Sequence, residues 1–120
     1  MKSQERAFLV HVDLPSPPDS NPLEDGPDEL EKLAISAGAQ VVGRFNQRLK
    51  RISPATLIGR GKIEEIQGHI REAKPNLIIF DENLSPAQQR NLESALQTRV
   101  IDRSQLILDI FAQRARSKEG

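Results

Sequence analysis

The chain has 120 residues, 37% hydrophobic and 28% charged, and its 17 basic and 17 acidic side chains leave no net charge. That is one domain's worth of chain, with enough apolar surface for a core and no need of covalent staples. With no Cys and only 2 His, disulfides, thiolate zinc sites, cysteine nucleophiles and histidine-rich metal centres are excluded, and 4 Phe without Trp or Tyr argue against a base-stacking platform.

Phe8-Leu9-Val10-His11-Val12 is a compact apolar run and predicts a buried strand, with His11 a strand residue rather than a ligand. Pro15, Pro17, Pro18, Pro22 and Pro27 punctuate residues 15–27. This stretch reads as a mobile loop, because each proline fixes φ and removes a ladder donor. Pro27 suits the first turn of a helix, where Asp28, Glu29 and Glu31 complement the N-terminal dipole. Leu30, Leu33, Ala34 and Ala37 recur at helical spacing, and Gly38 is a natural stop.

From Ala39 to Lys50 the period changes to that of a strand. Val41, Gly43, Phe45, Gln47 and Leu49 fall on one side, and Val42, Arg44, Asn46, Arg48 and Lys50 on the other. Ser53-Pro54 breaks the strand, Thr56-Leu57-Ile58 reads as a short strand, and Gly59-Arg60-Gly61 turns the chain. A helix follows with Ile63, Ile66, Ile70 and Ala73 on one face. Burying each Ile contributes about 2 kcal/mol before entropy is subtracted. Gly68 weakens this helix by about 1 kcal/mol relative to Ala. Pro75 ends it.

Leu77-Ile78-Ile79-Phe80 shows no alternation, so both faces are covered, as in a parallel sheet between helices. Ser85-Pro86-Ala87-Gln88 combines an N-cap, a first-turn proline and a capping-box Gln, and the helix it opens carries Leu92, Ala95 and Leu96. Val100-Ile101 is a last strand. Asp102 or Ser104 caps a final helix whose first turns are apolar nearly all round, from Leu106 to Phe111. The alternation predicts an α/β fold: a single three-layer domain with an open, mostly parallel sheet of four to five strands flanked by helices.

Charge is uneven along the chain. Residues 1–43 hold 3 basic and 8 acidic groups, and residues 44–75 hold 8 basic and 3 acidic. Between 44 and 62 there is no acid at all, only Arg44, Arg48, Lys50, Arg51, Arg60 and Lys62. Such a field attracts phosphates or acidic protein surfaces. Gly59-Arg60-Gly61-Lys62 fails as a P-loop, because Thr56 stands where the first Gly is needed and Ile63 where a hydroxyl must hold magnesium. What survives is a Gly-rich turn whose free N–H groups can meet an anion. The loop from Phe80 to Pro86 resembles the phospho-acceptor loop of receiver domains only loosely. Its spacing is one residue too long, Asp13 stands without an acidic pair, and Asp102 falls near the place of a lysine. No nucleophile, base and orienting group recur in a catalytic pattern.

Three stretches together resemble the N-terminal domain of the HflX family of ribosome-associated GTPases. They are Ala37-Gly38-Ala39 leading into Ile58-Gly59-Arg60-Gly61-Lys62-Ile63-Glu64-Glu65, then Leu84 to Glu93, then Asp102 to Ala115. The resemblance implies a domain spanning residues 1–120, followed in such proteins by a helical hairpin and a GTPase domain that uses GTP and Mg2+. It also implies binding to the large ribosomal subunit and its RNA, ribosome splitting and rescue under stress, and a tempering of GTP hydrolysis next door. On that footing this chain is expected to hold no cofactor and catalyse no reaction. Without an apolar run near 18 residues or a signal-peptide core it is expected in the cytoplasm. The basic six would contact RNA phosphates. In a second reading, Arg90, Asn91 and Arg114 pack on the protein's own GTPase domain and RNA contact is incidental. A third, an independent ATP site, finds little in the sequence.

Overall fold

The computed structural model describes residues 5–13, 27–48 and 53–117, and the side chains of all of these save 27, 28 and 113–117. The elements run β1 (Arg6–Asp13), α1 (Pro27–Ser36), β2 (Gln40–Arg48), α2 (Arg60–Ala73), β3 (Leu77–Phe80), α3 (Pro86–Leu96), β4 (Arg99–Asp102) and α4 (Arg103–Ser117). The strands form one sheet in the order β2-β1-β3-β4, and every pair is parallel. Most of the proline-rich loop lies outside the described residues.

Parallel strands need crossover helices, and each crossover is right-handed by the twist of the chain. The chain steps from β1 outward to β2, then back across β1 to β3 and on to β4. That reversal puts α1 on one face and α2 and α3 on the other, and α4, which follows β4, packs beside α1. Two cores result. Phe8, Val10, Ile66, Ile78, Phe80, Leu92 and Val100 fill the α2/α3 side. Ala7, Leu9, Leu30, Ala34, Ile79, Ile101, Leu106 and Ile110 fill the α1/α4 side. All four β3 residues are buried, as an uninterrupted apolar run in a covered sheet requires.

The helix boundaries follow local chemistry. Gly38 adopts φ +90, and its N–H donates to Ile35 O at 2.9 Å, which closes α1. Ser85 Oγ accepts from Gln88 N–H at 3.1 Å and Gln88 Oε1 accepts from Ser85 N–H at 3.0 Å, a complete capping box for α3. Asp102, not Ser104, caps α4. Its Oδ1 accepts from Gln105 N–H at 2.9 Å while Oδ2 accepts from Leu84 N–H at 3.0 Å.

Three local expectations are corrected. Thr56-Leu57-Ile58 is no strand, so the sheet has four strands among the described residues, within the expected four to five. Ser53 and Leu57 exchange both backbone hydrogen bonds, at 3.0 and 2.8 Å, and Leu57 takes φ 68. The turn closes on itself and drops Leu57 and Ile58 into the α2/α3 core as a plug. Burial explains their apolarity without a ladder.

The period of β2 is also broken. The register with β1 shifts between Ala7 and Phe8, so that Ala7 faces Val41 but Phe8 faces Gly43. Val42 is the extra residue of a bulge. One inserted residue flips every side chain beyond it. Val41 therefore joins the α1/α4 core and Phe45 the α2/α3 core, although strict alternation puts them together. Finally, of the α2 stripe only Ile66 is fully buried, and Ile63, Ile70 and Ala73 pack at the rim.

Candidate functional site

In an open α/β sheet the crevice for ligands and partners opens at the carboxyl ends of the strands, where the winding reverses. Here that point lies between β1 and β3. His11 near the end of β1 and Asp81 just past β3 meet across it, with His11 Nδ1 2.6 Å from Asp81 Oδ2. His11 Nε2 lies 3.1 Å from Asp13 Oδ1, and Asp81 Oδ1 lies 3.6 Å from an Arg103 guanidinium nitrogen. The Asp81 side chain is only 8% exposed, whereas Asp13 is 59% exposed. The group ties β1, β3 and the start of α4 together. Among the described residues no three His, Asp or Glu side chains are placed to share a metal ion.

The sequence identified His11 as a strand residue, which it is, but not its partner. Asp81 lies 70 positions away. The only available signal was that Asp81 opens the loop after the central strand, where such folds place functional side chains.

The basic residues fall on different parts of the scaffold. Arg44 lies mid-strand on β2 and bonds Glu31 Oε1 of α1 at 2.9 Å, so it belongs to the α1 face. Arg48 ends β2 and is exposed. Arg60 and Lys62 form the first turn of α2, on the other layer, with Lys62 Nζ 3.5 Å from Glu65. Because α2 runs opposite to the strands, its N-terminus and Arg48 share the carboxyl end of the sheet. Lys50 and Arg51 lie outside the described residues. Gly59 supplies no side-chain cap, so the first N–H groups of α2 have no side-chain cap among the described residues, unlike those of α3 and α4.

Of the other candidates, Arg90 is exposed on α3. Asn91 is committed within the domain, donating from Nδ2 to Ala55 O at 3.0 Å, while Gln88 donates to Ser53 O at 3.3 Å. These two amides hold the 53–57 turn. Arg114 lies in α4, and its side chain is outside the described residues. The α1/α4 layer displays three large apolar side chains, Ile35, Leu108 and Phe111, each 58–61% exposed.

The model of the GTP-binding GTPase N-terminal family matches residues 24–112, which takes in every element from α1 to the start of α4's last turns. The chain belongs to this family. It is an N-terminal HflX-type domain. It is 44% identical over 119 residues to the GTPase HflX of Caldanaerobacter subterraneus, covering 99% of this chain and 27% of that protein. With the GTPase HflX of Escherichia coli it shares 42% over 116 residues, covering 97% of this chain and 26% of that one. The chain thus spans about a quarter of the length of the curated relatives it matches. In fold it is similar to a GTP-binding protein from the archaeon Sulfolobus solfataricus solved with GDP, with a TM-score of 0.64 at 20% identity, covering 89% of this chain and 30% of that one. The resemblance legible in the sequence lies in the stretches around Gly59, Ser85 and Asp102. The structure gives each of them a boundary role, as the N-cap of α2, α3 and α4 in turn.

Proposed function

We propose that this HflX-type domain is the non-catalytic part of a cytoplasmic GTPase that contacts RNA of the large ribosomal subunit and modulates GTP hydrolysis by the domain that follows it. GTP and Mg2+ belong to that following domain, and ribosome splitting and rescue under stress to the whole protein. The observation that carries the reading is the uncapped, basic first turn of α2. Arg60, Lys62 and backbone N–H groups that no described side chain caps stand at the same end of the sheet as Arg48. Arg44, Lys50 and Arg51 extend the same acid-free stretch of sequence.

The test is pelleting of large subunits with a full-length family member carrying this domain, with Arg44, Arg48, Lys50, Arg51, Arg60 and Lys62 all changed to Glu. Binding should fall. With the native residues, each engaged phosphate contributes about −0.7 to −0.9 to the slope of log affinity against log salt. Undiminished pelleting would remove the assignment of these residues.

A second reading, an intramolecular regulatory module, is favoured by the exposed Ile35, Leu108 and Phe111 on the α1/α4 layer, where α4 also carries Arg114, although Arg90 lies on α3 across the sheet. Comparing GTP hydrolysis with and without residues 1–120, ribosomes absent, separates the two. An unchanged rate removes the second reading.

A further inference from the structure

Asn91 lies in the interior of α3, where asparagine is a poor helix former because its side chain competes for backbone groups. Here the side chain reaches out of the helix instead, and Nδ2 donates to Ala55 O at 3.0 Å. Nearly one turn earlier, Gln88 divides its amide between two tasks. Oε1 accepts from Ser85 N–H in the capping box, and Nε2 donates to Ser53 O at 3.3 Å. α3 therefore grips the 53–57 turn at two carbonyls, from 35 and 36 positions away in the chain.

The gripped turn holds a disfavoured backbone. Leu57 takes φ 68, a left-handed conformation that a bulky side chain keeps only where its surroundings over-determine it. Those surroundings are the paired hydrogen bonds between Ser53 and Leu57, the bond from Thr56 Oγ1 to Ile58 O at 2.6 Å, and the burial of Leu57 and Ile58. The two amides of α3 complete the set.

What the turn fixes is the start of α2. Gly59 alone separates Ile58 from Arg60. Its extended backbone, at φ −76 and ψ 171, leads into the helix, and its C=O accepts from Ile63 N–H at 3.1 Å. With Ile58 anchored in the core, the direction of the first turn is set within two residues of a buried side chain. Glu64 and Glu65 follow at once, with Glu65 3.5 Å from Lys62. The basic end of α2 is thus one turn deep, and its aim matters more than its net charge.

We propose that Asn91, seconded by Gln88, is a positioning residue for phosphate contact by Arg60 and Lys62. The inference rests on the RNA reading above and names the residues that preset that site. α3 holds the turn, the turn holds Ile58, and Ile58 holds the start of α2. Binding then orders no loop, so the affinity that such ordering removes is retained. Neither Asn91 nor Gln88 itself touches RNA.

A mutant cycle tests it in a full-length family member carrying this domain, with affinity for isolated large subunits read by pelleting. Asn91→Ala should weaken binding about three- to tenfold, the effect of losing one net hydrogen bond. In a background of Arg60→Ala with Lys62→Ala it should have no further effect, because nothing is left to aim. A purely structural role would weaken both backgrounds alike, and that result overturns the proposal. So does native affinity for Asn91→Ala beside weakened binding by Arg60→Ala/Lys62→Ala, which leaves the RNA reading standing. Native affinity for Arg60→Ala/Lys62→Ala removes the RNA reading at this turn and the proposal with it. Gln88→Glu keeps an acceptor for the capping box but loses the donor to Ser53 O, and its added charge acts in both backgrounds. If Asn91→Ala does not fold, the same cycle with Gln88→Glu decides.

Discussion

Asp81 holds His11 at 2.6 Å across the point where the chain reverses its winding between β1 and β3. The pair joins the two central strands at their carboxyl ends, and Arg103 extends the tie to α4. Removing Asp81 leaves His11 Nδ1 desolvated and without its partner, which costs about 1–3 kcal/mol. Asp81→Ala should therefore lower unfolding free energy in urea by that amount. Asp13→Ala, at a largely exposed carboxylate, should cost no more than about 0.5 kcal/mol. Equal losses would mean that the buried pair has no special role.

Gly43 marks the closest approach of β2 to the Phe8 ring. Gly43→Ala introduces a Cβ 2.8 Å from two ring carbons that α2 holds in place. Overpacking of this kind costs about 1–3 kcal/mol. Phe8→Leu alone is also destabilising, but the double variant should be less unstable than the sum of the two. A double-mutant cycle measured by chemical denaturation reads this coupling, and additivity would contradict it.

Gly68 lies inside α2, and a Cβ built on it meets nothing within 4 Å. The glycine therefore adds backbone entropy to the unfolded chain without relieving any close contact. Gly68→Ala should stabilise the domain by about 0.5–1 kcal/mol, seen as a rise of a few degrees in the melting temperature. A lower melting temperature would show that a partner or loop occupies that space.

Asn91 and Gln88 hold the turn at 53–57 from α3. Asn91→Ala should cost about 1 kcal/mol and, more specifically, speed amide exchange at Leu57, whose N–H bonds Ser53 O. Exchange in β3 should change only as far as global stability does. A uniform change across the domain would mean that the turn is not locally tethered.

Core truncation should rank by burial along α2. Ile66→Ala removes a fully buried side chain and should cost about 2–5 kcal/mol, whereas Ile63→Ala and Ile70→Ala, at the rim, should each cost less. Equal costs would restore the uniform stripe that the sequence periodicity suggested.

Sequence alone determined the kind and order of the elements. The unbroken apolar run at 77–80, the Ser85-Pro86-Ala87-Gln88 cap and the stop at Gly38 act within a few residues, where propensity and capping chemistry operate. It also determined the family, through stretches that prove to be helix starts. Tertiary structure decided the rest, because the deciding neighbours are distant in the chain. The Val42 bulge depends on the fit of Phe8 against Gly43, and the 53–57 turn on amides from α3. The His11–Asp81 pair exists only once β1 and β3 lie side by side, and the closing of β4 by Glu93 and Gln89 follows from strand order, which no local pattern encodes.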